Sequence, residues 1–304
     1  MKNGSVFTDI TGAELHAHGG YIIRHGGFWY WYGEDRRENY YVSCYRSTDL
    51  HNWEFRNHIL TTDSEKRPYR VRTKLELIRE DGRKVNIERP KVLYCEATGK
   101  FVMWAHYENG RDYHDAACCV AVCDTPDGDF VYHGHFNPYG YMSRDCTLFL
   151  DNDGTAYFIS ASRDNADLHV YRLTDDYMNV DGLVNVLWQG EFREAPAVFY
   201  RNGRYYMLSS ACTGWNPNQG CFAGADSIDG RWSMLSPFGD KTTFHSQPAF
   251  VLPVDGEYYY FGDRWGGYPM SHPFDYSKSG YVILKIRFSE DGSPYIEWND
   301  EAFS

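Results

Sequence analysis

The residues best suited to chemistry in this sequence are three carboxylic acids and an amide that recur ahead of glycine turns. Asp145, Glu194 and Gln247 each stand nine residues before the glycine of an Asp-Gly or Asn-Gly turn. Glu88 stands eleven residues before the glycine of a longer turn. Carboxyl groups held close together repel one another when ionised, so the pKa of one of them rises and it keeps its proton to higher pH. If these side chains meet in one pocket, they supply a proton donor beside ionised groups.

The elements that must position these side chains are five hairpins of a single design. Each has an apolar strand, a turn containing glycine, and a second strand rich in aromatic residues, as in "AVFYRNGRYYMLSS". Each hairpin is followed by a further strand and usually by a polar turn. The turn glycines are Gly26, Gly99, Gly154, Gly203 and Gly256. Short β-branched and aromatic strands separated by Asp-Gly and Asn-Gly indicate antiparallel β-structure.

Four strands recurring about every fifty residues are typical of a β-propeller blade. Five such units predict an all-β fold, a five-bladed β-propeller with four-stranded antiparallel blades around a central channel. The blades use nearly the whole chain, so we expect a single domain over residues 1–304. Residues 61–87 hold eight of the thirty basic residues and an Asp-Gly turn. They predict a charged hairpin extending from the first blade, either as a solvated surface feature or as a substrate-contacting arm.

The innermost strand of each propeller blade lines the central channel, so the residues at its head converge on one mouth although they are distant in sequence. A purely structural role is the alternative, in which each residue caps its strand or pairs with a basic neighbour, namely Arg89, Arg144 or Arg193. Four polar residues in the same register favour a common pocket. Glycoside hydrolysis uses two carboxyl groups of unequal pKa on either side of the bond that is cleaved. One protonates the leaving oxygen, and the other activates water or attacks the sugar.

Composition argues against several other classes of function. The formal net charge is −12, whereas a protein that binds nucleic acid without sequence preference needs a basic surface. No apolar run is long enough to span a membrane, and the first twenty residues lack the apolar core of a signal peptide. The eight cysteines form no C-x-x-C pair and lie mostly in apolar runs such as "AACCVAVCD". They indicate reduced core thiols, which favours a cytoplasmic location, or a secreted one if a leader was removed.

Several strings, in this order, resemble glycoside hydrolase family 43 and within it the exo-β-1,3-galactanase subgroup. They are "AHGGYIIRHGGFWYWYGE", "ERPKVLYCEATGKFVMWAH", "SRDCTLFLDNDGTAYFISAS", "REAPAVFYRNGRYYMLSSACTGWNPN" and "SQPAFV", and they lie within residues 16–253. The family fold is a five-bladed propeller, which agrees with the repeat count. The resemblance implies an inverting, exo-acting hydrolase that releases galactose from the non-reducing end of β-1,3-galactan, the backbone of type II arabinogalactan.

By this resemblance Glu194 is the general acid, and Asp145 tunes its pKa and orients it. Family members usually carry a general-base aspartate on the first inner strand, but residues 15–23 contain no carboxylate, an absence that the galactanase subgroup shares. In that subgroup the equivalent of Gln247 is proposed to act as base in an imidic-acid form, and the equivalent of Glu88 to hold the substrate. A neutral amide is a very weak base. Gln247 therefore positions water or acts as the base, with Glu88 as the rival base.

Aromatic and polar residues near the mouth are candidate sugar contacts, because tryptophan and tyrosine rings present flat faces to the apolar side of a pyranose. The candidates are Trp215, Trp265 and, in loops that follow second strands, Tyr113, Asn165 and Thr213. Each of them has an alternative interpretation as an ordinary packing or loop residue.

The sequence predicts no transition-metal site, since His16 and His18 would share one face of a strand but lack further ligands. We expect no required cofactor, although Ca²⁺ or another ion could lie in the central channel. The expected partner is a galactose-containing oligosaccharide bound by a monomer, with neither nucleic acid nor a membrane involved. The alternatives are an α-L-arabinofuranosidase or β-xylosidase of the same family, and a propeller that binds sugar without catalysis.

Overall fold

The computed structural model describes residues 1–69 and 73–304, which form twenty β-strands in five four-stranded antiparallel sheets. In every sheet the order of the strands follows the chain. Each sheet is one blade, and the first strands of successive blades contact one another around a closed ring. The only helical segments in the described residues are two short 3₁₀ turns, Pro138–Gly140 and Tyr276–Lys278. The five-bladed β-propeller predicted from the hairpin repeat is confirmed.

The strands of each blade follow one another without a crossover. Blade 1 has β1 (His18–His25), β2 (Phe28–Glu34), β3 (Tyr40–Ser47) and β4 (Glu54–Thr61). Blade 2 has β5 (Asn86–Cys95), β6 (Lys100–Glu108), β7 (Ala117–Cys123) and β8 (Val131–Phe136). Blade 3 has β9 (Cys146–Leu150), β10 (Ala156–Ser162), β11 (Asp167–Leu173) and β12 (Val180–Leu187). Blade 4 has β13 (Arg193–Arg201), β14 (Arg204–Ala211), β15 (Gly220–Ala225) and β16 (Ser236–Phe238). Blade 5 has β17 (Gln247–Val254), β18 (Glu257–Arg264), β19 (Gly280–Phe288) and β20 (Pro294–Ile296).

Three of the turns between first and second strands contain two residues, both with positive φ. These turns are Gly26–Gly27, Asn202–Gly203 and Asp255–Gly256. Positive φ at both positions gives a type I′ turn, whose twist matches that of the flanking strands. The local sequence therefore sets the register in which each inner strand pairs with its aromatic partner.

The hydrophobic core consists of five clusters, each packed between two neighbouring blades. The cluster between blades 2 and 3, for example, joins Trp104 and Cys118 to Cys146 and Tyr171. No disulfide bond joins any of the eight cysteines in the described residues, and five of them are buried, whereas Cys212 is exposed at the mouth of the channel. Because aromatic side chains face each other across these gaps, every blade is fixed by its neighbours rather than by its own sheet alone.

The ring is closed by pairing between the two ends of the chain. The Gly4 amide donates to the carbonyl oxygen of Tyr281 at 2.6 Å, and the Tyr281 amide donates to that of Ser5 at 3.0 Å. Lys2 and Glu301 also form an antiparallel bridge. The outer edge of blade 5 is therefore completed partly by the N-terminal segment and partly by β20.

Between β4 and β5, the described part of the basic segment 61–87 contacts the outer strand of blade 2, where Lys66 bridges to Tyr132. Lys74 bridges to His135 on β8, and Ile78 bridges to Lys84 around a turn at Gly82. Residues 70–72 of this segment lie outside the described residues. Within the described part of the chain, no helix is long and apolar enough to cross a membrane.

Candidate active site

The heads of the inner strands open into a cavity of about 350 Å³ at one end of the channel. The cavity is lined by all four head residues identified from turn spacing, Glu88, Asp145, Glu194 and Gln247. Four of the five predicted sugar contacts also line it, namely Tyr113, Asn165, Trp215 and Trp265. The common register of the repeats thus corresponds to a common location in space.

A β-bulge follows the head residue in blades 1, 2, 4 and 5 and shapes the mouth. In three of these bulges a residue with positive φ, Gly19, Arg89 or Ala195, follows the head residue directly. The backbone amides that do not pair within the sheet at these bulges donate to carboxylates of the preceding blade. The Ala195 amide donates to Asp145 Oδ2 at 3.1 Å, and the Arg89 amide donates to Glu34 Oε1 at 3.0 Å. The positive φ of Arg89 and Ala195 therefore turns their amides towards the neighbouring blade and couples adjacent blades at the site.

Glu194 is in an environment that favours its protonated form. Burial and the negative charge of Asp145 raise the pKa of Glu194 to about 8, although Arg89 opposes the shift. Gln247 Nε2 donates to Glu194 Oε1 at 3.0 Å, and Asn165 Nδ2 donates to Oε2 at 3.2 Å. Each oxygen of a carboxylic acid keeps a lone pair, so both contacts persist when the group carries its proton. Glu194 is thus fixed in position and protonated at neutral pH.

Asp145, unlike Glu194, is paired with a guanidinium. Arg89 Nε lies 2.9 Å from Asp145 Oδ2, which also accepts the Ala195 amide. The purely structural role considered from the sequence, in which a polar residue at the head of an inner strand pairs with a nearby arginine, therefore holds for Asp145 and Arg89. Arg193, by contrast, donates to Ser209 and leaves the adjacent Glu194 without an ion pair among the described residues.

All four hydrogen-bonding positions of the Gln247 amide are occupied. Its oxygen accepts from Arg89 Nη2 at 2.6 Å and from Trp265 Nε1 at 2.8 Å. Its nitrogen donates to Glu194 Oε1 and to Ser210 Oγ, both at 3.0 Å. An imidic-acid form would place a hydroxyl proton on an oxygen that already faces two N–H donors. The arrangement therefore matches the ordinary amide, acting as a positioning group for Glu194.

Glu88 is held as a carboxylate by three neighbours. Its Oε1 accepts from Tyr113 at 3.0 Å and from Arg36 Nη2 at 3.1 Å, and its Oε2 lies 3.4 Å from His106 Nδ1. Burial alone would raise the pKa of Glu88, but His106 and Arg36 outweigh it and lower the pKa to about 2. For His106, burial is likewise outweighed by Glu108 and Glu88, which raise its pKa to about 9.

Aromatic side chains form one wall of the cavity. Trp215 stacks on Phe274 with ring centroids 4.5 Å apart and meets Trp265 edge-on at 5.3 Å. The guanidinium of Arg36 also lies over the Trp215 ring, 5.6 Å from its centroid. Thr213 does not line this cavity. Its hydroxyl donates to the Asn216 carbonyl at 2.6 Å and accepts from Asn218, so it organises the loop that carries Trp215.

Sequence reasoning missed several residues of the cavity, chiefly Glu34, Arg36 and His106. Glu34 and His106 stand directly opposite inner-strand heads, since Glu34 pairs with His18 and His106 pairs with Glu88. The same register argument, applied to the second strand of each hairpin, would have found both. Arg36 lies two residues beyond β2 in a loop, where spacing carries no such signal.

The histidines near the N-terminus do not meet as a pair. His18 Nδ1 lies 2.9 Å from Asp263 Oδ1, and its ring stacks on Tyr281 at 4.3 Å. His16 instead lies 3.9 Å from Glu14. His18 therefore serves as a packed, hydrogen-bonded residue beneath the mouth.

Comparisons with known proteins agree with this geometry. The model of glycosyl hydrolases family 43 matches residues 16–249. An exo-β-1,3-galactanase from Clostridium thermocellum, 1,3Gal43A, is 43% identical with a TM-score of 0.89, over 99% of this chain and 65% of that chain. The β-1,3-galactosidase BT3683, determined with galactodeoxynojirimycin, is 31% identical with a TM-score of 0.88, over 99% of both chains.

A third similar structure is the exo-β-1,3-galactanase Pc1,3Gal43A from Phanerochaete chrysosporium, determined with galactose. It is 33% identical with a TM-score of 0.84, over 99% of this chain and 67% of that chain. This chain thus spans less than two thirds of the Clostridium protein but nearly all of BT3683. No curated protein sequence matches it. With a family model that covers most of its length, and relatives more than 30% identical across almost the whole fold, the chain belongs to glycosyl hydrolases family 43.

Proposed function

We propose that this protein is an exo-acting β-1,3-galactosidase that releases galactose from the non-reducing end of β-1,3-galactan and type II arabinogalactan oligosaccharides, with inversion. The observation that carries the proposal is Glu194, a carboxyl group protonated at neutral pH, held beside the charged Asp145–Arg89 pair in a cavity. The similar structures support the choice of sugar, since two are named exo-β-1,3-galactanases and one a β-1,3-galactosidase.

In this proposal Glu194 is the general acid. The glycosidic oxygen becomes a better leaving group as it receives the proton, and positive charge develops on the sugar ring. The charge on Asp145 helps to keep Glu194 protonated until the substrate arrives and also stabilises the developing positive charge. Asn165 and Gln247 hold the carboxyl group in place, so the proton is delivered without a search over rotamers.

Glu88 and Gln247 are the two candidates for activating water. Gln247 can take a proton only if its oxygen is first released from Arg89 or Trp265. Glu88 is already ionised, and it is positioned by Tyr113 and Arg36 rather than neutralised by a proton. The contacts therefore favour Glu88 as the proton acceptor and Gln247 as the residue that positions Glu194. The resemblance to the galactanase subgroup favours the opposite assignment, with Gln247 as the base.

The aromatic wall would bind the sugar through its apolar face. Contacts with Phe274 and Arg36 hold the Trp215 ring at the cavity. The lining residues all belong to one propeller. We therefore also propose that the protein acts as a monomer, which light scattering of the purified protein would test.

The direct test is proton NMR of the protein incubated with β-1,3-galactobiose and β-1,3-galactotriose, with the anomeric signals followed from the start. We expect α-galactose to appear first, because inversion of a β-linkage gives the α-anomer. Early β-galactose would contradict inversion. No release from these substrates, but release from aryl arabinofuranosides or xylosides, would reassign the sugar. Binding of galactose with no hydrolysis of any substrate would make the protein a sugar-binding propeller.

A further inference from the structure

Three potential metal-ligand atoms meet on one side of the cavity. His106 Nδ1 lies 3.4 Å from Glu88 Oε2 and 4.0 Å from Asp145 Oδ1, and the ligand atoms of these three residues all lie within 4.8 Å of one another. We call this group the Glu88–His106–Asp145 triangle. Ligand atoms about 2.0–2.2 Å from a tetrahedral zinc ion lie about 3.4 Å apart, so small movements would bring the triangle to coordination distance.

In each carboxylate of the triangle, the other oxygen is already committed to protein donors. Glu88 Oε1 accepts from Arg36 and Tyr113, at 3.1 and 3.0 Å. Asp145 Oδ2 is bound by Arg89 Nε at 2.9 Å and by the Ala195 amide at 3.1 Å. These contacts fix the rotation of both carboxylates, so one oxygen of each is left near His106.

His106 is built like a metal ligand with a supporting second partner. It is only 1% exposed, and its Nδ1 has no hydrogen-bond partner within geometric limits. Its other nitrogen, Nε2, lies 2.9 Å from Glu108 Oε1, and Glu108 is held by the Ala116 amide at 3.0 Å. A carboxylate on the far ring nitrogen is the usual support for a metal-bound histidine, because it fixes the ring and makes the free nitrogen a stronger donor.

We propose that the Glu88–His106–Asp145 triangle binds one divalent transition-metal ion of the Zn²⁺ class, and that the bound ion inhibits the enzyme. One imidazole and two carboxylates suit Zn²⁺ or Co²⁺, whereas Ca²⁺ prefers six to eight oxygen ligands. The triangle lines the cavity, so water can complete the coordination. This donor set therefore favours a transition metal over Ca²⁺, although the sequence predicts no transition-metal site.

The charges around the triangle favour a cation there. Four carboxylates, those of Glu34, Glu88, Glu108 and Asp145, stand against two guanidinium groups, those of Arg36 and Arg89. A proton on His106 offsets part of this negative excess, and a divalent ion that replaces the proton offsets more. The competing state is therefore an imidazolium that donates from Nδ1 to Glu88.

Inhibition follows from the roles of the two carboxylates. An ion bound to Asp145 neutralises the charge that helps to keep Glu194 protonated. An ion bound to Glu88 occupies the carboxylate that would contact a sugar hydroxyl or water. This part of the inference rests on the proposed function, whereas metal binding does not.

The binding test uses Co²⁺ as a spectroscopic probe and Zn²⁺ in equilibrium dialysis, with the full chain first treated with EDTA. We expect one ion per chain, visible d–d absorption from bound Co²⁺, and displacement of Co²⁺ by Zn²⁺. His106→Asn should abolish both signals, and circular dichroism would verify that the variant is folded. The control is His114→Asn, since His114 has an 84% exposed side chain outside the triangle, and it should bind as the wild type does.

A second variant keeps the inference testable if His106→Asn does not fold. Glu108→Gln leaves all three ligands in place but weakens their support, so it should reduce Zn²⁺ affinity by about 10–100-fold. Absence of stoichiometric binding, or equal binding by wild type and His106→Asn, would refute the metal site. His106 would then be an imidazolium that pairs with Glu88.

The inhibition test adds Zn²⁺ during hydrolysis of β-1,3-galactobiose, with EDTA added afterwards. We expect loss of activity at the concentration that fills the site, and recovery with EDTA. Zn²⁺ binding by a protein that hydrolyses no galactoside would refute the proposed function and retain the site. An active enzyme that neither binds nor responds to Zn²⁺ would refute the site and retain the function.

Discussion

Gln247 Nε2 donates to Glu194 Oε1 at 3.0 Å, while the oxygen of the same amide accepts from Arg89, the residue paired with Asp145. The proposed acid, the amide and the charged pair therefore form one connected network drawn from blades 2, 3, 4 and 5. Removal of any member changes the position or charge of the others, so the effects of substitutions within this network will not add.

Glu194→Gln removes the transferable proton while it keeps the size of the side chain. We expect the turnover of β-1,3-galactobiose to fall about 10²–10⁴-fold, the usual contribution of a general acid, and sugar affinity to change only a few fold. Steady-state kinetics and calorimetry with galactobiose would measure the two quantities.

An activated substrate supplies the control for this substitution. A dinitrophenyl β-galactoside has a leaving group that needs little protonation, so Glu194→Gln should hydrolyse it with a much smaller loss than it shows with galactobiose. Equal losses for both substrates would argue against an acid role for Glu194.

Asp145→Asn should move the alkaline limb of the pH–rate profile towards lower pH. Activity requires protonated Glu194, so kcat/KM of the wild type should fall as pH rises through about 8, its pKa in the folded protein. Asparagine removes the charge that raises this pKa but keeps an oxygen to accept the Ala195 amide. The limb should shift down by about one pH unit. Profiles of kcat/KM between pH 5 and 10 measure it, and an unchanged limb would mean that Asp145 does not control Glu194.

The pKa of Glu194 also predicts how folding stability depends on pH. The pKa is higher in the folded protein than the ordinary value of 4.5, so between these values the folded state keeps a proton that the unfolded state has lost. The stabilising contribution is complete below pH 4.5 and disappears as pH rises through about 8. Glu194→Gln lacks this dependence.

We therefore expect the stability of the wild type relative to Glu194→Gln to fall by about 1.4 kcal/mol per pH unit over this range, or roughly 2–3 kcal/mol from pH 5 to pH 7. Urea unfolding of both proteins at the two pH values measures the difference. A constant difference would show that Glu194 has the same pKa in both states.

Azide distinguishes the two candidates for water activation. An alanine at the position of the base leaves a gap in which azide can attack the sugar directly. We expect azide to restore turnover in Glu88→Ala, with galactosyl azide as the product seen by mass spectrometry, and to leave Gln247→Ala inactive. Both variants can be compared on the same activated galactoside. Rescue of Gln247→Ala alone would assign water activation to Gln247.

The fold was predictable because its signals are local. A two-residue turn such as Asn202–Gly203 sets the pairing of the two strands beside it, so Glu194 and Gln247 stand at equal distances from their turns. Asp145 stands at the same distance from Gly154, although β9 is shorter and the turn that follows it is longer. Glu88 stands eleven residues before its turn glycine instead of nine, because its hairpin has a four-residue turn. Residues in irregular loops follow no such rule, so the sequence predicts Thr213 as a sugar contact although it does not line the cavity, and it gives no signal for Arg36, which does.

The sequence by itself determined which strands form, which face each blade buries and which residues stand at the mouth, since all of these follow from short-range pairing and hydrophobic pattern. Only the tertiary structure decided how the charges at the mouth are divided. Arg89 pairs with Asp145 and not with Glu194, and Arg36 reaches Glu88 from another blade. The pKa of a carboxyl group depends on burial and on charges a few ångströms away, and those neighbours are set by the closure of the ring.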